Sequence, residues 1–209
     1  MRVAFFLFLF VLVAQSSFAQ RPMPKKIGDW YYYVDSQNKI IDKLGQWDTA
    51  GYFLSDFAAV WKDGQEIYLD KSGNSYPAVY NVKDLKPHIT AINLKAKKLE
   101  KIPDEVFENE QLRVLILQKN SITEIPSDIG KLLNLEYLDL ETNLLKNLPT
   151  EIGLLKNLYF LDLENNFLTN LPETITQLKN LKILNLYGND LDKQSVRLLY
   201  FLDLDLLFY

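Results

Sequence analysis

Apolar and polar positions repeat every 23 residues through the second half of the chain. The clearest copy, Leu135 to Asn157, reads LEYLDLETNLLKNLPTEIGLLKN, and Leu112 to Asn134 and Leu158 to Asn180 follow the same pattern. Ile89 to Gln111 is a less regular copy that precedes them. Self-similarity at a fixed short period is the signature of a solenoid, in which each unit buries its apolar face against its neighbours.

Each copy predicts one short strand and one return segment. The run LxxLxL ends in an apolar and polar alternation, seen at Leu138 and Leu140, which indicates a strand with one buried face. The second half, with Pro149 and Ile152, has a spacing compatible with an irregular or short helical return. Stacked copies would place their strands side by side, as in other repeat arrays.

The 23-residue unit resembles the leucine-rich repeat, whose pattern LxxLxLxxNxLxxLPxxIxxLxx it follows nearly position by position. The resemblance implies an α/β solenoid with a parallel sheet on its concave side. It also implies a ladder of asparagines whose amides bond backbone groups at the bend after each strand, since an amide both donates and accepts. The ladder residues would be Asn120, Asn143, Asn166 and Asn189.

Both ends of the array depart from the pattern, as the closing units of a solenoid do. Lys97 replaces the asparagine in the first copy, and the copy that starts at Leu181 lacks the LPxxI segment. We expect about 4.5 units over residues 89–191. Residues 192–209 predict a cap of one short helix, with Asp192 as its N-cap, and one strand. A membrane or partner helix is the alternative for this segment.

Residues 27–88 form a different region, which follows a predicted linker at residues 20–26. It contains all three tryptophans and lacks the leucine-rich period. Turn signals at Asp63-Gly64 and Ser72-Gly73-Asn74 separate aromatic and β-branched stretches. The sequence therefore predicts short antiparallel strands joined by hairpins.

A weaker repeat is present in this region, where Tyr33 to Asn38 matches Tyr68 to Gly73 at an offset of 35 residues. The layout is similar to the WG repeat, which is found mainly in bacterial proteins. It departs from that family at Asp29-Trp30 and Gln65-Glu66, where a Trp-Gly pair is common. The alternative is a small aromatic β-cap that shields the first leucine-rich strand.

The first 19 residues have the features of a secretory signal peptide. Arg2 precedes the apolar run Val3 to Ala14, and the small residues Ser17 and Ala19 suit a cleavage after Ala19. The apolar run is too short for a membrane span. We therefore expect an exported protein that is periplasmic, attached to the cell surface or secreted, with an uncleaved anchor as the alternative.

Composition excludes several functions. The net charge of −4 is unfavourable for binding nucleic acid or an anionic membrane. The chain has no cysteine, and His88 is its only histidine, so no disulfide and no histidine-based metal cluster is available. We expect no cofactor and no metal.

Function is expected on the concave face, the sheet surface formed by the side chains between the strand leucines. Its central strands would present aromatic side chains beside acids, and aromatics in an exposed patch are typical of binding hot spots. We predict a protein partner, with a glycan or cell-envelope polysaccharide as the alternative. A solvated sheet face without a partner would carry similar residues. The predicted binding residues are Tyr137, Phe160, Tyr159, Tyr187, Asp139, Asp162, Glu141 and Glu164.

An enzyme is the least favoured interpretation. Asp139 and Asp162 would lie on adjacent strands about 4.8 Å apart, near the roughly 5 Å carboxylate separation of retaining glycosidases. Stacked repeats create such pairs automatically, however, and an open sheet does not exclude water. The sequence predicts a non-enzymatic recognition module.

Overall fold

The structure is a computed structural model that describes residues 22–51, 53 and 57–209. The predicted signal peptide, residues 1–19, lies outside the described residues. The chain divides into two compact units, Met1–Ser75 and Tyr76–Tyr209.

The first unit contains two groups of antiparallel strands, as expected from its turn signals. The turn Asp63-Gly64, between strands Phe57–Lys62 and Gln65–Asp70, has positive φ at both residues (52° and 76°), which is the backbone of a two-residue hairpin loop. A short 3-10 helix, η1 (Asp42–Leu44), precedes β3. The strands are β1 (Met23–Ile27), β2 (Trp30–Val34) and β3 (Gln46–Trp47) in one sheet, and β4 (Thr49–Ala50), β5 (Phe57–Lys62) and β6 (Gln65–Asp70) in consecutive pairing.

Strand β1 corrects one prediction. Residues 23–26, assigned to a linker from the sequence, pair with β2 from Met23 opposite Val34 to Ile27 opposite Trp30. The segment MPKKI shows no alternation of apolar and polar residues, so its strand depends on the partner strand rather than on its own pattern.

Aromatic side chains form the core of the first unit. Tyr33, Phe53 and Leu44 are each at most 1% exposed. The Tyr33 hydroxyl donates to the Gly51 carbonyl over 2.6 Å, and the Trp47 indole donates to the Leu44 carbonyl over 2.6 Å. Burial raises the pKa of Tyr33 above its usual value. The polar atoms of these rings are therefore satisfied inside an apolar cluster.

The 35-residue repeat of this unit has a structural counterpart. Asp35 and Asp70 each use one carboxylate oxygen to accept from the amides two and four residues further on, at 2.9 Å in every case. The loops also share a left-handed residue, Asn38 in the first and Gly73 in the second. The two segments therefore fold into the same turn.

The second unit carries a parallel sheet in which each strand pairs with the strands before and after it in the chain. The register is one 23-residue copy per step, so Tyr137 lies between Val114 and Phe160. The sheet begins earlier than predicted, because residues of β7 pair with β8 although the sequence SYPAV lacks the leucine pattern. The strands are β7 (Ser75–Val79), β8 (Ala91–Asn93), β9 (Val114–Ile116), β10 (Tyr137–Asp139), β11 (Phe160–Asp162), β12 (Ile183–Asn185) and β13 (Leu206–Phe208).

The return segments are 3-10 helices, and a proline stands at the N-cap of the last four. Proline suits this position because it has no amide hydrogen, and the first amides of a helix have no acceptor within the helix. Adjacent return segments approach closely, since a Cβ on Gly153 would lie 2.5 Å from the Thr174 carbonyl oxygen. The helices are η2 (Val82–Asp84), η3 (Asp104–Val106), η4 (Ser127–Lys131), η5 (Thr150–Leu154) and η6 (Glu173–Gln177).

The unit ends with one α-helix, α1 (Lys193–Leu199), before β13. The Asp192 carboxylate accepts from the Ser195 amide over 2.7 Å and caps the helix. The core runs from Ile92 to Leu199 and consists of leucines, isoleucines and a few other apolar side chains. No helix in the described part of the chain is long and apolar enough to cross a membrane.

Candidate binding surface on the parallel sheet

An asparagine side chain holds the bend that follows each of strands β9 to β12. The Asn143 side chain is 3% exposed, donates to the carbonyls of Leu117 and Leu140 at 3.0 Å, and accepts from the Ile122 amide at 3.1 Å. Each contact joins the asparagine to its own copy or to the preceding one. The same arrangement recurs at Asn120, Asn166 and Asn189.

A second row of amides was not predicted. Asn134, Asn157 and Asn180 each donate to the carbonyl 24 residues earlier, at 2.8 to 2.9 Å. The signal was available in the sequence, because an asparagine ends each of these three copies. The two rows hold neighbouring copies at both ends of the strand.

The central aromatics of the concave face form a stack. The rings of Tyr137 and Phe160 lie 4.1 Å apart at an interplanar angle of 5°. Phe160 is only 6% exposed, whereas the sequence placed it in an exposed patch. Tyr137 and Tyr159 are half-buried, and Tyr187 is 51% exposed. Tyr187 is therefore the predicted aromatic residue with the most accessible ring.

Asp139 and Asp162 lie opposite each other on adjacent strands, as predicted. Each uses one carboxylate oxygen to accept from the amide two residues on, at 3.1 Å and 2.9 Å. Asn93 and Asn185 make the same bond in their own copies, at 3.0 Å and 3.2 Å. The two aspartates therefore form the same turn that asparagines form elsewhere in the array.

The electrostatics of the two aspartates are unfavourable. Burial, followed by the nearby charge of Asp162, raises the pKa of Asp139 to about 7, and burial raises the pKa of Asp162 to about 6. Gln118 donates to the second oxygen of Asp139 over 2.7 Å, and Asn185 donates to that of Asp162 over 3.2 Å. Both carboxylates thus accept from neutral donors, and neither forms an ion pair with another residue of the described part of the chain.

At the side of the sheet where the strands begin, charged side chains form ion pairs, unlike the two aspartates. Arg113 contacts Glu136 at 2.7 Å and stands over the Tyr76 ring, 4.6 Å from its centre. Lys182 pairs with Asp203. Among the described residues, the central acids of the concave face form no such ion pair.

Residues 112–203 match the family described as leucine-rich repeat region. We therefore call the repeat array of the second unit the leucine-rich repeat region, after the family that these residues match. An internalin C2 of Listeria monocytogenes is similar, with 25% identity and a TM-score of 0.52 over 58% of this chain and 51% of that chain. A leucine-rich repeat protein of Leptospira interrogans is 30% identical over 61% of this chain and 40% of that chain, with a TM-score of 0.45.

The chain thus spans about half or less of these two proteins. The leucine-rich repeat ectodomain of the receptor kinase SOBIR1 of Arabidopsis thaliana is 23% identical, with a TM-score of 0.48 over 69% of this chain and 77% of that chain. A search of curated proteins gave no match. The fold prediction, a leucine-rich repeat solenoid after a small antiparallel region, is confirmed.

The leucine-rich repeat region brings the predicted site residues together on three neighbouring strands. Glu141 and Glu164 are half-buried at the strand exits, beside the two aspartates. Among the described residues, no group of three or more histidines and acids is arranged to hold a metal ion. The close approach of the acids on adjacent strands follows from the repeat.

Proposed function

We propose that the protein is an exported, non-enzymatic recognition module whose leucine-rich repeat region binds another protein through the concave face. The observation that carries the proposal is the group of four acids in two adjacent copies, none of which forms an ion pair with another described residue. These acids are Asp139, Glu141, Asp162 and Glu164.

The partner should present basic side chains. Lys95 is the cation whose charge lowers the pKa of Asp139, and it lies two strands away in the array. A lysine or arginine from a partner would offset the repulsion among the acids and would be held partly out of water. Tyr187, half-exposed at the edge of the acidic group, supplies apolar contact area.

Export and the WG-like character of the first unit belong to the same proposal. The signal features of residues 1–19 support export. The matching turns at Asp35 and Asp70 support a tandem repeat in the first unit. Cleavage between Ala19 and Gln20 would be detected as a new N-terminus on the protein recovered from a bacterial envelope or culture fraction, and a protein that keeps residues 1–19 there would contradict it.

Affinity capture from envelope and culture fractions tests the binding surface. The full chain is compared with a variant that carries Glu141→Gln and Glu164→Gln, and with the control Glu173→Gln on the return segment η6. We expect one basic protein to bind the full chain and the control, to be lost with the double variant, and to dissociate as salt rises. Equal capture by all three would place the site elsewhere.

The glycan alternative gives a different result in the same experiment. A neutral polysaccharide would stay bound at high salt and would be displaced by free oligosaccharide. Its binding should depend on the exposed Tyr187 ring, so Tyr187→Ala should release it while the Glu141 and Glu164 variant retains it.

A further inference from the structure

The residues that directly follow the ladder positions form an exposed row along the leucine-rich repeat region, beyond the ends of the strands. From the second copy onward, the amide of this residue donates to a backbone carbonyl of the preceding copy, over 2.8 to 3.1 Å. These bonds place equivalent residues of neighbouring copies side by side. Each side chain of the row is exposed. The exposed row consists of Lys98, Ser121, Leu144, Phe167 and Asp190.

The exposed row is complementary to its own reverse order. If a second molecule of the chain faces the row and runs in the opposite direction, Lys98 lies opposite the partner's Asp190. Ser121 then lies opposite the partner's Phe167, and Leu144 lies opposite the same residue of the partner. A base thus meets an acid, a small side chain meets a large one, and the centre is apolar. A two-fold axis produces this arrangement, because each contact between two different residues then occurs twice.

The middle of the exposed row offers both a projecting ring and a space that can receive one. Phe167 is 59% exposed, and its neighbour on the preceding copy, Leu144, is exposed as well. An open hollow of about 510 Å³ lies on the other side of Leu144 and is lined by Glu100, Lys101, Ser121, Thr123 and Leu144. A phenyl ring that enters this hollow is removed from water, which favours association.

The charges at the two ends favour the antiparallel direction. Among the described residues, neither Lys98 nor Asp190 forms an ion pair. An antiparallel pair of molecules brings these opposite charges together, whereas a parallel pair would bring like charges together. Two flanking contacts oppose the association, since Lys146 would face the same residue of the partner and Glu100 would face the partner's Asp192. We therefore expect a weak, reversible dimer.

We propose that the exposed row is the interface of an antiparallel homodimer, in which two molecules of the chain pair about a two-fold axis at Leu144. Phe167 of each molecule fills the hollow beside the partner's Ser121, and Lys98 of each molecule pairs with the partner's Asp190. This inference does not depend on the proposed function, because the row lies beyond the strands and uses no residue of the concave face.

Sedimentation equilibrium of the full chain at low ionic strength tests the dimer. Between about 10 and 500 μM, the average mass should rise from that of one chain toward that of two. Asp190→Lys places two lysines opposite each other at both ends of the interface, and Lys98→Asp places two acids there. We expect either variant to weaken dimerisation about tenfold or more. The variant that carries both substitutions should dimerise within about threefold of the unaltered chain, because the opposite charges are restored.

A second pair of variants tests the apolar centre. Phe167→Ser removes the ring that fills the hollow and should weaken dimerisation about tenfold. Leu133→Ser is the matched control, because Leu133 is 55% exposed and lies outside the row. This control should dimerise as the unaltered chain does. The Tm of each variant shows whether the fold is retained.

Three results would overturn the inference. The first is a chain that stays monomeric over the whole concentration range. The second is a dimer that Phe167→Ser and Asp190→Lys leave unchanged, or that Leu133→Ser weakens as much as Phe167→Ser does, since either result places the interface elsewhere. The third is a failure of the combined Lys98→Asp and Asp190→Lys variant to recover dimerisation while its Tm is retained, which would exclude the antiparallel alignment.

Discussion

Both units of the chain contain segments that recur, the 23-residue copies of the leucine-rich repeat region and the two matching turns of the first unit, but equivalent residues are related differently in each. In the leucine-rich repeat region, one copy is one turn of the solenoid, so the side-chain amides of Asn143 and Asn166, one copy apart, both donate to the carbonyl of Leu140. In the first unit, Asp35 and Asp70 perform the same task in separate loops. A change in the array therefore affects the adjoining copy directly, whereas a change in the first unit acts within its own turn.

The length of the repeat determines whether equivalent residues in successive copies contact the same part of the chain. A 23-residue period places each copy's strand beside the last, so side-chain amides link copies in rows. In the first unit, by contrast, two turns 35 residues apart have the same local hydrogen bonds. The core of this unit contains several aromatic side chains. Three measurements can sharpen or break this comparison.

Asn143→Ala should have the largest effect. The substitution leaves the buried Ile122 amide without its acceptor and removes one of the two side-chain donors to the Leu117 and Leu140 carbonyls, so we expect a loss of about 2–4 kcal/mol in the free energy of unfolding. Hydrogen exchange should speed up in both copies that the side chain joins. Asn120→Ala is the comparison, because Asn120 is half-buried and water can replace part of its bonding. Exchange that changes in one copy alone would contradict the linked-row description.

Asp139→Asn should stabilise the array at high pH. The pKa of Asp139 is raised to about 7, so the folded chain binds its proton more tightly than the unfolded chain does, and stability falls as pH rises from about 4 to 7. Asparagine keeps the turn, as at Asn93 and Asn185, without the charge. We expect a gain of about 1–3 kcal/mol at pH 8 and almost none at pH 4, measured by denaturant unfolding. A gain that is independent of pH would exclude the buried charge as its cause.

Asp70→Ala and Asp35→Ala test the first unit and should have the smallest effects. Asp70 is 8% exposed and also accepts from the Asn74 side chain over 2.9 Å, whereas Asp35 is half-buried. We expect a loss of about 1–2 kcal/mol for Asp70→Ala and under about 1 kcal/mol for Asp35→Ala. All three tryptophans lie in this unit, so fluorescence reports its unfolding. Equal losses would mean that the turns are equivalent in energy as well as in geometry.

The sequence could predict the strands that have the 23-residue leucine pattern. It could not predict the strands that form only because an adjacent strand pairs with them. Strands β8 to β12 follow from the leucine spacing, and the turns at Asp63-Gly64 and Ser72-Gly73 follow from their glycines. Strands β1 and β7 have no such pattern, because their sequences, MPKKI and SYPAV, form strands through pairing.

The candidate site shows the same limit. Aligning the copies predicts which residues lie side by side on the concave face, because equivalent positions fall on adjacent strands. Tyr137 and Phe160 are such a pair, and the structure places them next to each other. The sequence did not predict that Asp139 and Asp162 accept from a backbone amide two residues further on. Asparagines stand at the equivalent positions 93 and 185 and make the same bond, so the shared feature is this backbone contact and not the charge. The near burial of Phe160 could not be read from residue types, because it depends on how the rings stack.

The ladder spacing also sets how such a chain can change in evolution. Each ladder asparagine donates to the carbonyl 26 residues earlier and accepts from the amide 21 residues earlier. Inserting one residue inside a copy would misplace both partners, whereas duplicating a whole copy would recreate them at the new junction. The gene can therefore lengthen or shorten the array in steps of 23 codons while every intermediate remains able to fold.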